Sequence, residues 1–161
     1  MITKNDLDTL YLWAKNQKFS LTEELTSAGY PSKPILYCLL KLSRKLTRIN
    51  KKYVKDDLIL KILLNPDILM CSYVVFQPGI EHGPHRDSNL YKKDYKRVQI
   101  PIKVPNEKCY MIWKGEKIIW KPGVYGSYEV MDYTHEGYNY SDTSLEFLFL
   151  DVKKNAEVEL S

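Results

Sequence analysis

Three residues in the second half of the chain have the types and the spacing of a metal site. His85 and Asp87 form a His-x-Asp step in a predicted loop after a strand, and His135 follows 48 residues after Asp87. Two neutral imidazoles and one carboxylate are the ligands that non-haem oxygenases use for Fe(II), where they leave adjacent positions open for co-substrate and O2. Asp132 and Glu136 are close enough in sequence to hold a ring N–H of His135. The same spacing also arises by chance, so a surface loop with an unrelated histidine stays the alternative.

Other polar residues near this pattern each have more than one interpretation. His82, three residues before His85, is an alternative ligand, a substrate contact or, as we expect, a loop histidine without a role. Arg86 and Asn89 are either ligands for a substrate carboxylate or exposed loop residues. The lysine-rich segment 92–96 is either a mobile lid over the site or a solvated insertion.

A site of this kind needs strands to position its ligands, and the sequence after residue 70 predicts them. Residues 97–104 alternate, with Arg97 and Gln99 on one face and apolar residues on the other. A Lys-Gly-Glu sequence at 114–116 predicts a hairpin turn. Short strands separated by turns are typical of a β-sandwich or barrel. The predicted strands are 72–76, 97–104, 109–113, 117–120, 124–130 and 145–152.

The first 70 residues predict helices instead. Apolar residues recur at helical spacing over 7–14, behind a capping box of Thr3 and Asp6. After a break rich in proline and glycine, apolar residues three and four apart predict a second helix over 35–46. A third helix is predicted over 57–64. The chain is therefore predicted to be mainly β, with a barrel preceded by an N-terminal helical region.

The composition predicts one ordinary globular domain over 1–161. Hydrophobic residues are 44% and charged residues 27% of the chain, which excludes a largely disordered protein, a collagen-like fibre and a coiled coil. No apolar run reaches the roughly 18 residues of a membrane span. Because the first residues also show no secretory signal, we expect a cytoplasmic protein without membrane contact. Cys38, Cys71 and Cys109 form no CxxC pair and predict free thiols.

Basic residues are concentrated between Lys33 and Lys55. Eight lysines and arginines lie there without one acidic residue, although the whole chain has a net charge of only +4. Such a stretch could bind nucleic acid or an acidic partner protein. It could equally be the solvated face of a helix, which is what we expect.

Several short motifs follow one another between residues 75 and 152. They are Pro78-Gly79 before Pro84-His85, Arg97 opening a strand that ends at Val104-Pro105, Trp120-Lys121-Pro122-Gly123, His135-Glu136 before Tyr138, and the closing strand 147–152. In this order they resemble the catalytic domain of the aspartyl/asparaginyl β-hydroxylases. The resemblance implies a double-stranded β-helix, or jelly roll, that uses Fe(II) and 2-oxoglutarate. We expect this catalytic core over 71–155 and a helical support region over 1–70.

The resemblance also implies roles for single residues. His85 and His135 match the iron-binding histidines, and Arg97 matches an arginine that binds a carboxylate of 2-oxoglutarate. Gln99 takes the place of a co-substrate-binding histidine. Many family members have glycine where this chain has Asp87, and the aspartate restores the full triad of the wider oxygenase superfamily.

Two positions depart from the family at the end that would hold the distal carboxylate of 2-oxoglutarate. A second co-substrate arginine aligns with Leu145, and a serine that helps it aligns with Val74. An unpaired carboxylate in an apolar pocket costs several kcal/mol, so another donor must serve there if 2-oxoglutarate binds. The alternatives are that Arg97 alone holds the co-substrate, or that the last strand aligns one or two residues away. Candidates for that donor are a lysine, Ser72, Tyr73, Tyr125 and Tyr128.

The sequence therefore predicts an Fe(II)- and 2-oxoglutarate-dependent dioxygenase that hydroxylates a side chain of an amino acid, peptide or protein. His85, Asp87 and His135 are its predicted metal ligands, and Arg97 and Gln99 its predicted co-substrate ligands. Two alternatives stay open. One is a cupin-like metalloenzyme that does not use 2-oxoglutarate, and the other is a non-catalytic jelly-roll binding protein.

Overall fold

Two helices and eleven strands make up the part of the chain that this computed structural model describes, residues 1–24, 31–43, 46–88 and 94–161. The helices are α1 (Lys4–Lys15) and α2 (Asp57–Leu63). The strands are β1 (Thr22–Glu24), β2 (Ile35–Ser43), β3 (Thr47–Ile49), β4 (Ile68–Phe76), β5 (Ile80–His85), β6 (Tyr95–Lys103), β7 (Cys109–Trp113), β8 (Glu116–Ile119), β9 (Gly126–Tyr128), β10 (His135–Asn139) and β11 (Leu145–Lys153).

These strands pair antiparallel and form two sheets. The larger sheet has the order β1-β2-β4-β11-β6-β9, with β3 paired to β2, and the smaller has the order β5-β10-β7-β8. Phe76 and Phe147 of the larger sheet pack with Ile80 and Met111 of the smaller one in a single apolar cluster. The two sheets therefore face each other as the halves of a jelly roll, which confirms the predicted fold class.

Both helices pack on the outer face of the larger sheet. Leu10 of α1 and Ile59 of α2 belong to one apolar cluster with Val98 of β6. The Thr3 side chain accepts a hydrogen bond from the backbone N–H of Asp6, whose carboxylate accepts one from the Thr3 N–H, so the predicted capping box is confirmed. The third predicted helix is also confirmed, as α2. Within the described part of the chain, no helix is long and apolar enough to cross a membrane.

The predicted helix over 35–46 is wrong, because most of this segment forms β2. Ile35 faces the cluster between the sheets, whereas Cys38 and Leu40 face the cluster under the helices. A strand that is covered on both faces loses the apolar–polar alternation, and a register shift between Leu39 and Lys41 disturbs it further. The segment 1–70 is therefore helical only in part, and its strands extend the larger sheet.

The strands predicted after residue 70 are confirmed with small shifts at their ends, with two exceptions. β4 begins at Ile68, well before the predicted 72–76, and β9 is much shorter than the predicted 124–130. The hairpin between β7 and β8 turns at Lys114 and Gly115, whose φ angles of 51° and 82° are those of a type I′ turn. β5 and β10 were not predicted as strands, although they carry the histidines. The three cysteines are free and buried, as expected.

The basic segment from Lys33 to Lys55 is not the face of a helix. Lys41 is only 1% exposed, and its Nζ donates to the backbone oxygen of Asn65 at 3.0 Å. Residues 44 and 45, which are also basic, lie outside the described residues. Nucleic-acid binding by this segment, the alternative to a solvated helix face, stays a hypothesis.

Candidate metal centre

The pairing of β5 with β10 brings the two predicted histidines together. His85 is the last residue of β5, and His135, the first residue of β10, lies directly opposite it in the antiparallel register. Their ring centroids are 4.2 Å apart. Asp87 follows two residues after β5, where its backbone N–H donates to the carbonyl of Val130 at 3.0 Å. His85 therefore belongs to a strand rather than to the loop that the sequence predicted.

One nitrogen from each histidine and one oxygen from Asp87 form a compact set of donor atoms. Oδ1 of Asp87 is 3.3 Å from Nε2 of His135 and 3.5 Å from Nε2 of His85, and the three donor atoms lie within 4.8 Å of one another. Ligand atoms that surround an ion at about 2.1 Å are themselves about 3 Å apart. Small side-chain shifts would therefore let one divalent ion contact all three. Two imidazoles and one carboxylate suit Fe(II), so the residues fit that ion.

Backbone carbonyls, not acidic side chains, orient the two imidazoles. Nδ1 of His85 is 2.7 Å from the oxygen of Gly83, and Nδ1 of His135 is 3.3 Å from the oxygen of Tyr133. A hydrogen bond from Nδ1–H to each carbonyl leaves Nε2 free to bind a metal. Asp132 and Glu136, the predicted partners of His135, pair instead with Lys154 and Tyr138.

Arg97 lies between two carboxylates. Its Nε and one terminal nitrogen donate to both oxygens of Asp151, at 2.7 and 3.0 Å, and its other terminal nitrogen is 2.7 Å from Oδ2 of Asp87. The guanidinium also lies over the ring of Phe149, 5.0 Å from its centroid. The arginine predicted to bind co-substrate thus already contacts the third predicted metal ligand.

These contacts keep the site ionised. Burial alone would raise the pKa of Asp87, but the Arg97 guanidinium holds that pKa well below its usual value. Burial would lower the pKa of Arg97, but Asp151 and Asp87 raise it well above its usual value. Asp87 is therefore a charged carboxylate, the form that binds a cation, over the whole physiological pH range.

A cavity of about 160 Å³ opens between the two sheets beside the donor set. It is close in size to the engineered cavity of about 150 Å³ that holds a benzene molecule, so it can hold a small organic ligand. The walls of the cavity are mostly apolar. Gln99 also lines the cavity, and its Oε1 accepts a hydrogen bond from Nε1 of Trp120 at 2.8 Å. Its side chains include those of Ile35, Tyr37, Met70, Ser72, Val74, Phe76, His82, Met111 and Phe149.

Among the donors predicted for a distal carboxylate, Ser72 lines this cavity. Tyr73 follows it on β4 and packs on the opposite face, where its hydroxyl donates to Glu146. The hydroxyl of Tyr125 donates to Asp8 of α1, at 2.7 Å. Tyr128 lies beside a smaller second cavity. Val74 borders the main cavity, and Leu145 is fully buried in the cluster between the sheets.

The sequence interpretation missed two residues of the site. His82 was expected to have no role, but it lines the cavity and stacks on His85, with the ring centroids 3.9 Å apart. Asp151, the partner of Arg97, was seen only as part of the closing strand. One acidic residue inside the apolar run 147–152 could have indicated a buried ion pair, because carboxylates are seldom buried without a partner.

Residues 89–93, which include Asn89 and part of the predicted lid, lie outside the described residues.

Comparison with known proteins shows similarity of fold, not of sequence. No protein-family model matches the chain, and no curated protein matches it in sequence. A structure from Burkholderia pseudomallei, described as an oxidoreductase of the 2OG-Fe(II) oxygenase family, aligns with a TM-score of 0.65 at 13% identity, over 94% of this chain and 83% of its own.

Two other solved structures have related barrels. A predicted oxalate decarboxylase from Thermotoga maritima aligns with a TM-score of 0.53 at 13% identity, over 83% of this chain and 94% of its own. A cupin 2 conserved barrel domain protein from Rhodopseudomonas palustris aligns with a TM-score of 0.53 at 10% identity, over 86% of this chain and 74% of its own. The chain therefore has the cupin or double-stranded β-helix fold, and its barrel carries a His-Asp-His group suited to a metal ion.

Proposed function

We propose that the protein is an Fe(II)- and 2-oxoglutarate-dependent dioxygenase that hydroxylates a side chain of an amino acid, peptide or protein. The observation that carries the proposal is the set of three donor atoms from His85, Asp87 and His135 at the edge of a cavity sized for a small ligand. Two histidines and one carboxylate leave adjacent positions of an iron ion open, which this chemistry requires. The resemblance of the motifs in 75–152 to the aspartyl/asparaginyl β-hydroxylases supports the reaction class.

Each part of the site has a task in this proposal. His85, Asp87 and His135 would hold the ion, which when bound supplies O2 activation coupled to oxidative decarboxylation of 2-oxoglutarate. The two backbone carbonyls keep the imidazoles in the tautomer that offers Nε2. The apolar walls, among them Phe149 and Met111, exclude water from the reacting groups.

Neutral donors would bind the distal carboxylate of 2-oxoglutarate. Among the described residues that line the cavity, Arg97 is the only arginine or lysine, and Asp87 and Asp151 already contact it. Ser72 and Gln99 offer polar groups on the inner face of the larger sheet. A hydrogen bond to a charged group contributes about 1.5–3 kcal/mol, so Ser72→Ala should weaken 2-oxoglutarate binding about tenfold or more.

The first experiment adds Fe(II) and then 2-oxoglutarate to the protein without oxygen and records the visible spectrum. The proposal expects a charge-transfer band only when both are present, and succinate formation when O2 and a substrate are supplied. His135→Ala should abolish the band. Ser72→Ala should shift its 2-oxoglutarate dependence to higher concentration, whereas Tyr73→Phe, on the opposite face of the same strand, is the matched control and should leave it unchanged.

A second candidate is a cupin-like metalloenzyme without 2-oxoglutarate. The engagement of Arg97 by two carboxylates favours it, because the cation expected to bind the co-substrate is already paired. Iron binding without a charge-transfer band would overturn the co-substrate assignment and support this candidate. A protein that bound neither iron nor another divalent metal would instead be the non-catalytic binding protein.

A further inference from the structure

Asp151 is a fully buried carboxylate that reaches the metal ligand Asp87 through Arg97. It lies on β11 and is 0% exposed, and Arg97 lies directly opposite it on β6. The guanidinium meets it with two parallel N–H···O bonds, the strongest and most directional geometry for this pair. Two central strands of the larger sheet thus fix the guanidinium plane.

The third contact of that guanidinium fixes Asp87. Asp87 lies after the end of β5, and its Oδ2 is 2.7 Å from Arg97 while its Oδ1 faces Nε2 of both histidines. The hydroxyl of Tyr95, on the same strand as Arg97, is 3.5 Å from Oδ2 as well. One oxygen of the carboxylate is therefore held by the larger sheet, and the other is directed toward the two imidazoles.

We propose that Arg97 and Asp151 are positioning residues for Asp87, and that they raise the affinity of the site for a divalent metal ion. This differs from the role in co-substrate binding that the family resemblance implies for Arg97. It rests on the metal site of the proposed function but not on the use of 2-oxoglutarate. Partners that orient a metal-bound carboxylate typically contribute a factor of about 10 to 100 in metal affinity.

Charge and orientation predict opposite results when Arg97 is removed. A guanidinium 2.7 Å from Asp87 repels a bound cation, so charge alone predicts tighter metal binding in its absence. If orientation dominates, loss of Arg97 frees the Asp87 carboxylate to rotate, and metal binding weakens. The sign of the change in affinity therefore separates the two effects.

The experiment measures Co(II) binding, because Co(II) is a stable substitute for Fe(II) with visible absorption. Arg97→Met alone would remove the guanidinium that neutralises the buried Asp151 carboxylate, a change that typically destabilises a protein by several kcal/mol. The test therefore uses the neutral pair Arg97→Met/Asp151→Asn, together with the single variant Asp151→Asn. Asp67→Asn is the matched control. It also removes a carboxylate partner of a β11 residue, since Oδ1 of Asp67 is 3.0 Å from Nζ of Lys153, but this ion pair lies away from the donor set.

The expected result is Co(II) binding weaker by about 10- to 100-fold in the double variant and by up to about tenfold in Asp151→Asn, with Asp67→Asn unchanged. The visible spectrum of Co(II) should also change in the double variant, because water replaces the Asp87 oxygen, and a purely structural defect would not produce this. Folded variants that bind Co(II) as tightly as the wild type, or more tightly, would overturn the inference. If the wild-type protein bound no metal, both this inference and the proposed function would be wrong. If the variants bound Co(II) more weakly but the wild type gave no charge-transfer band with 2-oxoglutarate, the inference would hold and the co-substrate assignment would be wrong.

Discussion

One buried lysine should make the stability of this protein rise between pH 7 and pH 9.5 relative to a variant that lacks it. Lys41 lies on β2 under the helices, only 1% exposed, with its ammonium against the carbonyl of Asn65 just beyond the end of α2. Burial lowers the pKa of Lys41 from 10.5 to about 8. Replacing Lys41 with methionine, which has a similar length and no charge, should remove this pH dependence.

The magnitude follows from the two pKa values. In the unfolded chain the ammonium keeps its proton up to about pH 10.5, whereas in the folded protein it loses the proton near pH 8. Between these values the unfolded state binds more protons, so the free energy of unfolding rises with pH. One pKa unit corresponds to about 1.4 kcal/mol, which gives a gain of about 2 kcal/mol by pH 9.5 relative to Lys41→Met. At pH 7 the two proteins should be closer in stability, because the variant removes a buried charge but also one of the two hydrogen bonds to the Asn65 carbonyl, which keeps the bond from the Ile68 N–H.

Urea unfolding of the wild type, Lys41→Met and Lys51→Met at pH 7 and pH 9.5 measures this difference. Lys51 is exposed in the turn after β3, so its variant should follow the wild type at both pH values. Parallel pH dependence in the wild type and Lys41→Met would refute the reasoning. It would mean that the Lys41 ammonium reaches water in the folded protein.

Two further predictions concern the site itself. Co(II) at 100 times its dissociation constant should stabilise the protein by about 2.7 kcal/mol and raise Tm by roughly 5–10 °C. His135→Ala should abolish this rise in Tm. An equal rise in the variant would mean that the ion binds elsewhere. In Gly137→Ala, the new Cβ would lie 2.9 Å from the ring of Phe76, which lines the cavity. That variant should lose about 1–3 kcal/mol and bind 2-oxoglutarate more weakly. Gly115→Ala is the control: its φ of +82° should cost stability, but 2-oxoglutarate binding should stay as in the wild type. If Gly137→Ala and Gly115→Ala bound 2-oxoglutarate equally well, the packing argument would be wrong.

The candidate ligands could be predicted from the sequence because metal binding depends on residue type, which the sequence states directly. Strand pairing can then bring together residues that are far apart along the chain. His85 and His135 are far apart in the chain, yet the antiparallel register of β5 and β10 places them opposite each other. Strands with a distinct apolar or alternating pattern, such as β4 and β11, were predictable for the same local reason. β5 was harder to predict because proline, glycine and histidine interrupt its pattern.

Features that depend on two distant partners could not be predicted in this way. β2 carries apolar residues on both faces because one sheet and two helices cover it, and local spacing then matches a helix as well as a strand. Lys41 was expected on a solvated basic face, but the fold buries it. The pairing of Arg97 with Asp151 depends on the register of β6 with β11, which neither strand encodes alone.

The charges of the site impose an order on its ligands. Without metal, the carboxylates of Asp87 and Asp151 outweigh the single guanidinium of Arg97, so an incoming dicarboxylate meets a net negative site in an apolar cavity. A divalent ion offsets that negative charge, because its own charge is then the largest in the site. In the proposed enzyme, metal binding would therefore precede the co-substrate, and affinity for a 2-oxo acid would depend on how well Asp87 holds the ion. By positioning Asp87, Arg97 and Asp151 would then control co-substrate binding without contacting the co-substrate.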